Sequence, residues 1–374
     1  MNILRKSNGF YRSGFEAAVC GRLDDDKVTY EYESLAELLD VSFRKFGNNA
    51  AFENMGKVMT FTDLKKATNH FSAYLIHDLG LNKGDKVAIQ MPNLLQYPIV
   101  LFGALQAGMT VVNVNPLYTS SELKHQINDS EAKVIIVLAN FASTLESILS
   151  ETKIKHVLIT QIGDIIGGVK GGLINFALKY IKKIIPPYNL PKSIPLRRAL
   201  KLGANHVFVQ PTIKSSDLAF LQYTGGTTGV SKGAMLSHAN LVANLLQVNT
   251  WMKSGGLREG TEVYITALPI YHIFALVANV LGSVSSGSQN ILITNPRDMT
   301  GFVKELKKHK FTILSGVNTL FNGLLSHPEF KTCDFSKLRF GFGGGMAVQN
   351  SVAEKWLQIT GSPLVEGYGL TETS

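Results

Sequence analysis

The sequence predicts an α/β protein of two packed βαβ-type units. Short apolar runs alternate with segments of helical period over most of the chain. The richest motifs fall just after such runs, and 374 residues at 45% hydrophobic content suffice for a large core and two or three structural units. In chain order, runs at 87–91, 110–114, 134–138 and 156–160 read as strands, with helical patterns at 95–107 and 121–127 between them. After a basic insertion the alternation resumes, with strands near 218–223, 263–268, 290–294, 311–315, 338–342 and 364–366 and a helix over 347–359. The two units divide at about 30–210 and 211–374. Open parallel sheets bind ligands at strand C-termini, so the loops leaving these strands are where chemistry is expected.

Charge is unevenly spread. The formal net charge is +9, and residues 165–201 hold eight basic residues (Lys170, Lys179, Lys182, Lys183, Lys192, Arg197, Arg198, Lys201) and no acidic one. At about 100° per residue, a helix over 173–185 places Asn175, Lys179, Lys182 and Lys183 on one arc; Leu173, Ile174, Ala177, Leu178, Tyr180, Ile181, Ile184 and Ile185 fill the rest. Pro186 and Pro187 are expected to end it. Such a helix either lies on an anionic membrane surface or packs into the protein with its lysines in water; a partner-protein site is the third possibility. The basic face has no interleaved aromatics, and no DNA-binding motif occurs elsewhere, so nucleic acid is not an expected partner.

Cys20 and Cys333 supply neither a disulfide framework nor zinc spacing, which fits a reducing cytosol. The basic residues among the first nine precede no apolar run of signal-peptide length. The longest apolar stretch, near 273–284, has about a dozen residues where a spanning helix needs roughly 20. The expected placement is cytoplasmic, peripheral on the inner face of the membrane. Monomer and oligomer both remain open.

Tyr223-Thr-Gly-Gly-Thr-Thr-Gly-Val-Ser-Lys-Gly-Ala234 concentrates backbone freedom, hydroxyls and one cation where an apolar strand ends. Gly225, Gly226, Gly229 and Gly233 permit positive φ and close approach of N–H groups to an anion. Thr224, Thr227, Thr228 and Ser231 add hydroxyl donors, and Lys232 adds charge. A polyphosphate is the natural guest. Ser237 reads as the N-cap of a helix through Leu241, Leu245 and Val248. Val230 and Ser231 separate Lys232 from Gly229, which departs from the Walker P-loop pattern. Gly229-Val-Ser-Lys-Gly233 matches the nucleophile-elbow pattern, but Ser231 is too far from the strand end to sit on that turn. A flexible linker rarely joins a hydrophobic strand to a capped helix.

This stretch resembles the phosphate-binding signature of the adenylate-forming superfamily. Leu268-Pro-Ile-Tyr-His-Ile-Phe274 and Glu366-Gly-Tyr-Gly-Leu-Thr-Glu372 resemble that family's aromatic/His and adenylate-binding motifs, in the same order. Asn115-Pro-Leu-Tyr-Thr119, Thr294-Asn-Pro-Arg-Asp298 and Gly316-Val-Asn-Thr-Leu320 are most similar to bacterial long-chain fatty-acid CoA ligases. The likeness runs from about residue 10 to the last residue. It implies ATP-dependent activation of a long-chain fatty acid through an acyl-adenylate, with coenzyme A as co-substrate and Mg²⁺ as metal.

By the same resemblance, the segment Tyr223, Thr224, Gly225, Gly226, Thr227, Thr228, Gly229, Val230, Ser231, Lys232, Gly233, Ala234 binds the nucleotide, its Thr224 to Lys232 loop holding the β- and γ-phosphates. Tyr368 contacts adenine, Gly369 lies in the same motif, Thr371 bonds the α-phosphate, and Glu372, with Thr228, ligates Mg²⁺. Taken alone, Glu372 would be an ordinary surface acid and Tyr368 an ordinary core aromatic. Gly343, Gly344 and Gly345 follow an apolar run and either admit adenine against the backbone or form a tight turn; the family's following small residue and Pro are replaced by Met346 and Ala347. His272 is implied to orient the carboxylate or shape the acyl tunnel, its alternative being a satisfied core histidine. Phe274 and Leu276 stand where some relatives place a tunnel gate. The family continues into a ribose-binding Asp motif, a hinge and a small C-terminal domain with a catalytic Lys. None has a counterpart here, so the chain is expected to be an N-terminal part with poor turnover alone. A noncatalytic nucleotide- or lipid-binding remnant, and a ligase serving an acyl carrier protein, are the other readings.

Overall fold

The computed structural model describes residues 32–224 and 230–374. Cys20 and the predicted site residues Gly225, Gly226, Thr227, Thr228 and Gly229 lie outside them. The strands are β1 (Ala50–Asn54), β2 (Lys57–Thr60), β3 (Lys86–Gln90), β4 (Thr110–Asn113), β5 (Val134–Leu138), β6 (His156–Thr160) and β7 (Ile194–Pro195). They continue with β8 (Leu218–Thr224), β9 (Lys232–Ser237), β10 (Val263–Thr266), β11 (Gln289–Leu292), β12 (Ile313–Gly316), β13 (Phe340–Gly343) and β14 (Leu364–Glu366). One sheet runs β7-β6-β5-β3-β4-β8-β9 and the other β14-β13-β12-β10-β11-β1-β2. Each is parallel except for one antiparallel hairpin at an edge, β8–β9 in the first and β1–β2 in the second.

Buried parallel strands need apolar side chains on both faces, which is why they read as continuous runs. The sheets do not divide the chain near residue 210. β1 and β2 join the second sheet, while β8 and β9 close the first. The two are therefore laced together by chain crossings as well as by packing.

The longer helices are α1 (Leu35–Lys45), α2 (Phe61–Ala73), α3 (Gln96–Gln106), α4 (Ser120–Ser130), α5 (Gly168–Phe176), α6 (Leu196–Gly203), α7 (His238–Ser254), α8 (Met299–Leu306), α9 (Asn318–Ser326) and α10 (Asn350–Thr360). Capping residues set several starts: Ser34, Thr60, Thr119 and Ser237 each accept a hydrogen bond from the third helical N–H. Every residue of α3 is buried, as its largely apolar sequence requires. Its Phe102 meets Phe52 of β1, and one apolar core spans α3, β1 and β3. Gly103 lets α2 approach: a Cβ there would lie 2.9 Å from the Thr68 carbonyl oxygen and from the Phe71 ring.

Three expectations need correcting. The strand before the Gly/Thr segment does not pass through a loop straight into α7; the chain returns as β9, pairing Thr224 with Lys232 and Tyr223 with Gly233, and Ser237 then caps α7. The basic helix ends before Pro186: α5 passes into a wider turn over Ala177–Ile181, and Lys183, at φ 50°, breaks it. The helix after the glycine turn begins at Asn350, because Met346 and Ala347 still belong to the turn.

α5 also packs the opposite way from a core helix. Gly171 is its buried residue, set so close to Gly163 that a Cβ would lie 2.2 Å from the Gly163 oxygen. Asn175 accepts from the Gly163 N–H at 2.7 Å and donates to Asp164, while Lys170 Nζ donates to the Met55 carbonyl at 2.6 Å. The apolar side of α5 and of the wider turn after it faces outward: Val169 is 81% exposed, Leu173 63% and Phe176 54%, with Ile181 of the turn 70%. Among the described residues no helix is long and apolar enough to cross a membrane.

Candidate active site

The loops after β3 and β10 emerge where strand order reverses, since β4 and β5 flank β3, and β11 and β12 flank β10. Such reversals open a crevice at the strand C-termini. Asn93, buried after β3, joins the two crevices. Its side-chain N–H groups donate to the carbonyls of Thr266 (3.1 Å) and Leu268 (2.9 Å), and its Oδ1 accepts from Ile270 N (3.0 Å). The aromatic/His segment is thus hung from the first sheet. A second tether comes from Gln222 of β8, whose Nε2 donates to the Tyr271 carbonyl at 2.5 Å. Asn113 donates to Gln222 Oε1 at 2.9 Å, and Tyr97 donates to Asn113 Oδ1 at 2.7 Å, all three side chains being buried.

The remaining motifs close a ring. Phe274 lies against Gly344, where a Cβ would sit 2.8 Å from its ring; it meets Phe342 edge-on at 5.2 Å. Gly343 is packed under Val348 and Leu364, and Gly345 turns the chain at φ 77°. Each glycine therefore has a steric reason of its own. Gly367 N–H donates to the Gly343 carbonyl at 2.8 Å, and Glu366 accepts from Val348 N. The Thr371–Thr373 turn then rests against β8 and β9, and Asn244 of α7 donates to the Ser374 carbonyl at 2.6 Å. Starting from the Gly/Thr hairpin, contacts run through the aromatic/His segment, the glycine turn and the Glu366–Glu372 segment back to the hairpin.

Within this ring the described part of the Gly/Thr segment has Thr224 half-buried at the end of β8, Lys232 exposed opposite it, and Val230 and Ser231 on the returning limb. Gly233 does not adopt positive φ; its lack of a side chain leaves room for the Tyr223 ring, which a Cβ would meet at 2.9 Å. Ala234 follows on β9 and pairs with Gln222. Tyr223 donates to Asp129 at 2.5 Å, and burial together with that carboxylate raises its phenol pKa. His272 is not a core residue: it is exposed, beside the Tyr271 ring at 4.5 Å. The surrounding protein nevertheless lowers its pKa. Tyr368 is 74% exposed, and Gly369 and Glu372 are also exposed, with Thr371 half-buried between them. Among the described residues the Glu372 carboxylate makes no hydrogen bond or ion pair. Its oxygens are free, and the hard oxygen chemistry of a carboxylate suits Mg²⁺.

Asn93, Gln222 and Asn113 escape the sequence reading. Their signal is a polar side chain within an otherwise apolar stretch, which local spacing cannot interpret.

Comparison with known proteins gives the family and the shared fold. The chain is 55% identical over 341 residues to a long-chain-fatty-acid–CoA ligase of Salmonella typhimurium, covering 91% of this chain and 61% of that protein. It is 50% identical to the ligase of that description from Haemophilus influenzae, over 92% of this chain and 62% of the relative. It thus spans about three-fifths of the curated relatives' length. Two solved structures share the fold: an anthranilate CoA ligase in complex with anthranoyl-AMP (TM-score 0.76, 21% identity, 91% of this chain and 60% of that one) and a long-chain-fatty-acid-CoA ligase from Archaeoglobus fulgidus (0.74, 24%, 92% and 65%). Residues 39–374 match the AMP-binding enzyme family, and the chain belongs to it.

Proposed function

We propose that this chain forms the nucleotide- and acid-binding part of a long-chain fatty-acid–CoA ligase. The observation that carries the reading is the closed ring of contacts among the Gly/Thr hairpin, the aromatic/His segment, the glycine turn and the Glu366–Glu372 segment. One crevice then offers a cation, hydroxyls, a free carboxylate and an aromatic wall. A fatty acid carboxylate is a poor electrophile. Its oxygen attacks the α-phosphorus of ATP, the bond to the β-phosphate oxygen breaks and pyrophosphate leaves, giving an acyl-adenylate. The thiol sulfur of coenzyme A then attacks the acyl carbon, losing its proton, and AMP departs with the former carboxylate oxygen.

The protein's share is alignment and charge neutralisation. Lys232 and Thr224 face the β- and γ-phosphates, Thr371 the α-phosphate, Tyr368 the adenine and His272 the carboxylate. Glu372 would hold Mg²⁺, which when bound supplies charge neutralisation on the phosphates. Trp251, stacked on Phe342 at 6.4 Å, and Phe274 give the acid end an apolar aromatic wall suited to an acyl chain. The test is palmitate-dependent ATP–pyrophosphate exchange and thioester formation by the full natural protein with Mg²⁺ and CoA. Exchange without thioester would move the assignment to a ligase serving a carrier protein, and absence of both would refute acid activation.

The outward apolar side of α5, followed by Lys179, Lys182 and Lys183, supports an anionic membrane surface as partner, which would place the protein peripherally on the inner membrane face. The inward side is already occupied by Gly171, Asn175 and Lys170, so the apolar side is left for lipid. Flotation with phosphatidylglycerol vesicles should carry the wild-type protein and not a Leu173→Glu/Ile181→Glu variant. Equal flotation of the two would exclude this surface.

A further inference from the structure

We propose that α4 is the splint of the nucleotide loop, with His125 and Asp129 as positioning residues that hold its two limbs apart at a fixed distance. This rests on the reading that the loop takes a nucleotide's phosphates.

Thr119 caps α4, and Glu122 returns the bond by accepting from the Thr119 N–H at 2.8 Å, which fixes where the helix begins. Leu123, Gln126 and Ile127 bury its inner face, and Gln126 donates to the Asn113 carbonyl at 2.8 Å. The helix is thereby pinned to β4. His125 and Asp129, four residues apart, share one face.

Each reaches a different limb. His125 Nε2 lies 2.9 Å from the Ser231 carbonyl on the returning limb. A carbonyl oxygen only accepts, so Nε2 carries the proton. Asp129 accepts from the Tyr223 hydroxyl on the outgoing limb at 2.5 Å. Tyr223 can reach it because its ring crosses Gly233. Thr224 and Lys232 are the next residues along the two limbs and form the last rung of the β8–β9 ladder. A terminal rung at a sheet edge frays readily, and a loop that must be ordered at the moment of binding loses affinity. Anchoring both limbs to one buried-face helix prepays that ordering. The side chains of His125 and Tyr223 bond to neither Asn93 nor Gln222, from which the acid end of the crevice hangs.

The experiment measures ATP affinity by calorimetry and the KM values for ATP and palmitate in pyrophosphate exchange, in the full natural protein. His125→Ala should raise the ATP Kd and KM roughly 3- to 10-fold, the effect of one hydrogen bond, with the palmitate KM unchanged. His125→Gln keeps an N–H donor at similar reach and should restore ATP affinity. Tyr223→Phe removes only a hydroxyl, retains the ring over Gly233 and should act in the same direction. Unchanged ATP affinity in both His125→Ala and Tyr223→Phe overturns the proposal, as does a His125→Gln variant as impaired as His125→Ala. A wild-type protein that binds no ATP overturns the phosphate reading itself, a different result from intact binding that ignores α4.

Discussion

Lowering the pH should loosen the junction between α1 and α7 through one buried imidazole. His238, the first residue of α7, is buried, and its Nδ1 accepts from the Leu35 N–H at 3.2 Å, satisfying one of the free donors at the start of α1. The proton must therefore sit on Nε2. Charging the ring would set a second N–H against that of Leu35 in a buried site. Burial lowers the pKa from 6.5 to about 4; Asp217 nearby favours the charge and Lys83 opposes it, both less than burial does. Those two residues are themselves ion-paired at 2.6 Å. Because the folded pKa lies below the unfolded one, the native state binds fewer protons between these values. The stabilisation is complete above pH 6.5 and is lost as pH falls toward 4. A shift of this size corresponds to about 3 kcal/mol in all, of which about 2 kcal/mol disappears between pH 7 and pH 5. The assay is urea unfolding followed by tryptophan fluorescence at both pH values, on wild type and on His238→Gln, whose side-chain oxygen can still accept from Leu35. Subtracting the two profiles cancels every other titrating group. The wild type should lose about 2 kcal/mol more than the variant over this interval. Identical pH dependence in the two would refute the assignment of a neutral, buried His238.

Lys232→Ala should slow pyrophosphate exchange about 10- to 100-fold by removing a charge-assisted hydrogen bond to the leaving group, and an unchanged rate would contradict its role. Glu372→Gln should raise the Mg²⁺ concentration needed for half-maximal exchange roughly tenfold, as expected for loss of a charged oxygen ligand; superimposable metal titrations would exclude it as a ligand. Gly344→Val should push the Phe274 ring from its place against Phe342, lowering stability by about 1–3 kcal/mol and raising the palmitate KM. Thermal melts and exchange kinetics of that variant check both effects, and a variant with wild-type values for each would mean the ring yields freely.

The strands were legible because both faces of a parallel sheet are buried. Runs at 134–138, 156–160 and 364–366 coincide with β5, β6 and β14, and most others agree within two residues. The hairpin partners were not. β9 carries exposed Lys232 and Met235 among small residues, and β2 begins with two exposed positions, so neither shows a continuous apolar run. Sheet membership was also hidden. A strand's own sequence does not say which sheet will take it, and β1 joins β11 across more than half the chain. The basic helix shows a related limit. Its periodicity gives an apolar stripe but not the side on which the protein lies. That was decided by Gly171, Asn175 and Lys170, small or polar residues that find backbone partners in Gly163 and Met55.

The same distinction separates the groups proposed to meet substrate from the groups that place them. A polyphosphate demands glycines, hydroxyls and a cation within a few residues of one another, because backbone and side-chain donors must converge on a small anion. That demand is local and leaves a local signature. Placement makes the opposite demand, since a loop can be held only by something outside it. The bonds from Asn93 to Leu268, from His125 to Ser231, from Tyr223 to Asp129 and from Gln222 to Tyr271 span 175, 106, 94 and 49 residues of chain. Each has one partner, Asn93, His125, Asp129 or Gln222, that stands outside the motifs in an unremarkable helix, strand or turn. An error of one ångström in the crevice would therefore originate in residues that no motif contains, which is why substitutions at His125 test the architecture of the site more sharply than substitutions within the Gly/Thr segment.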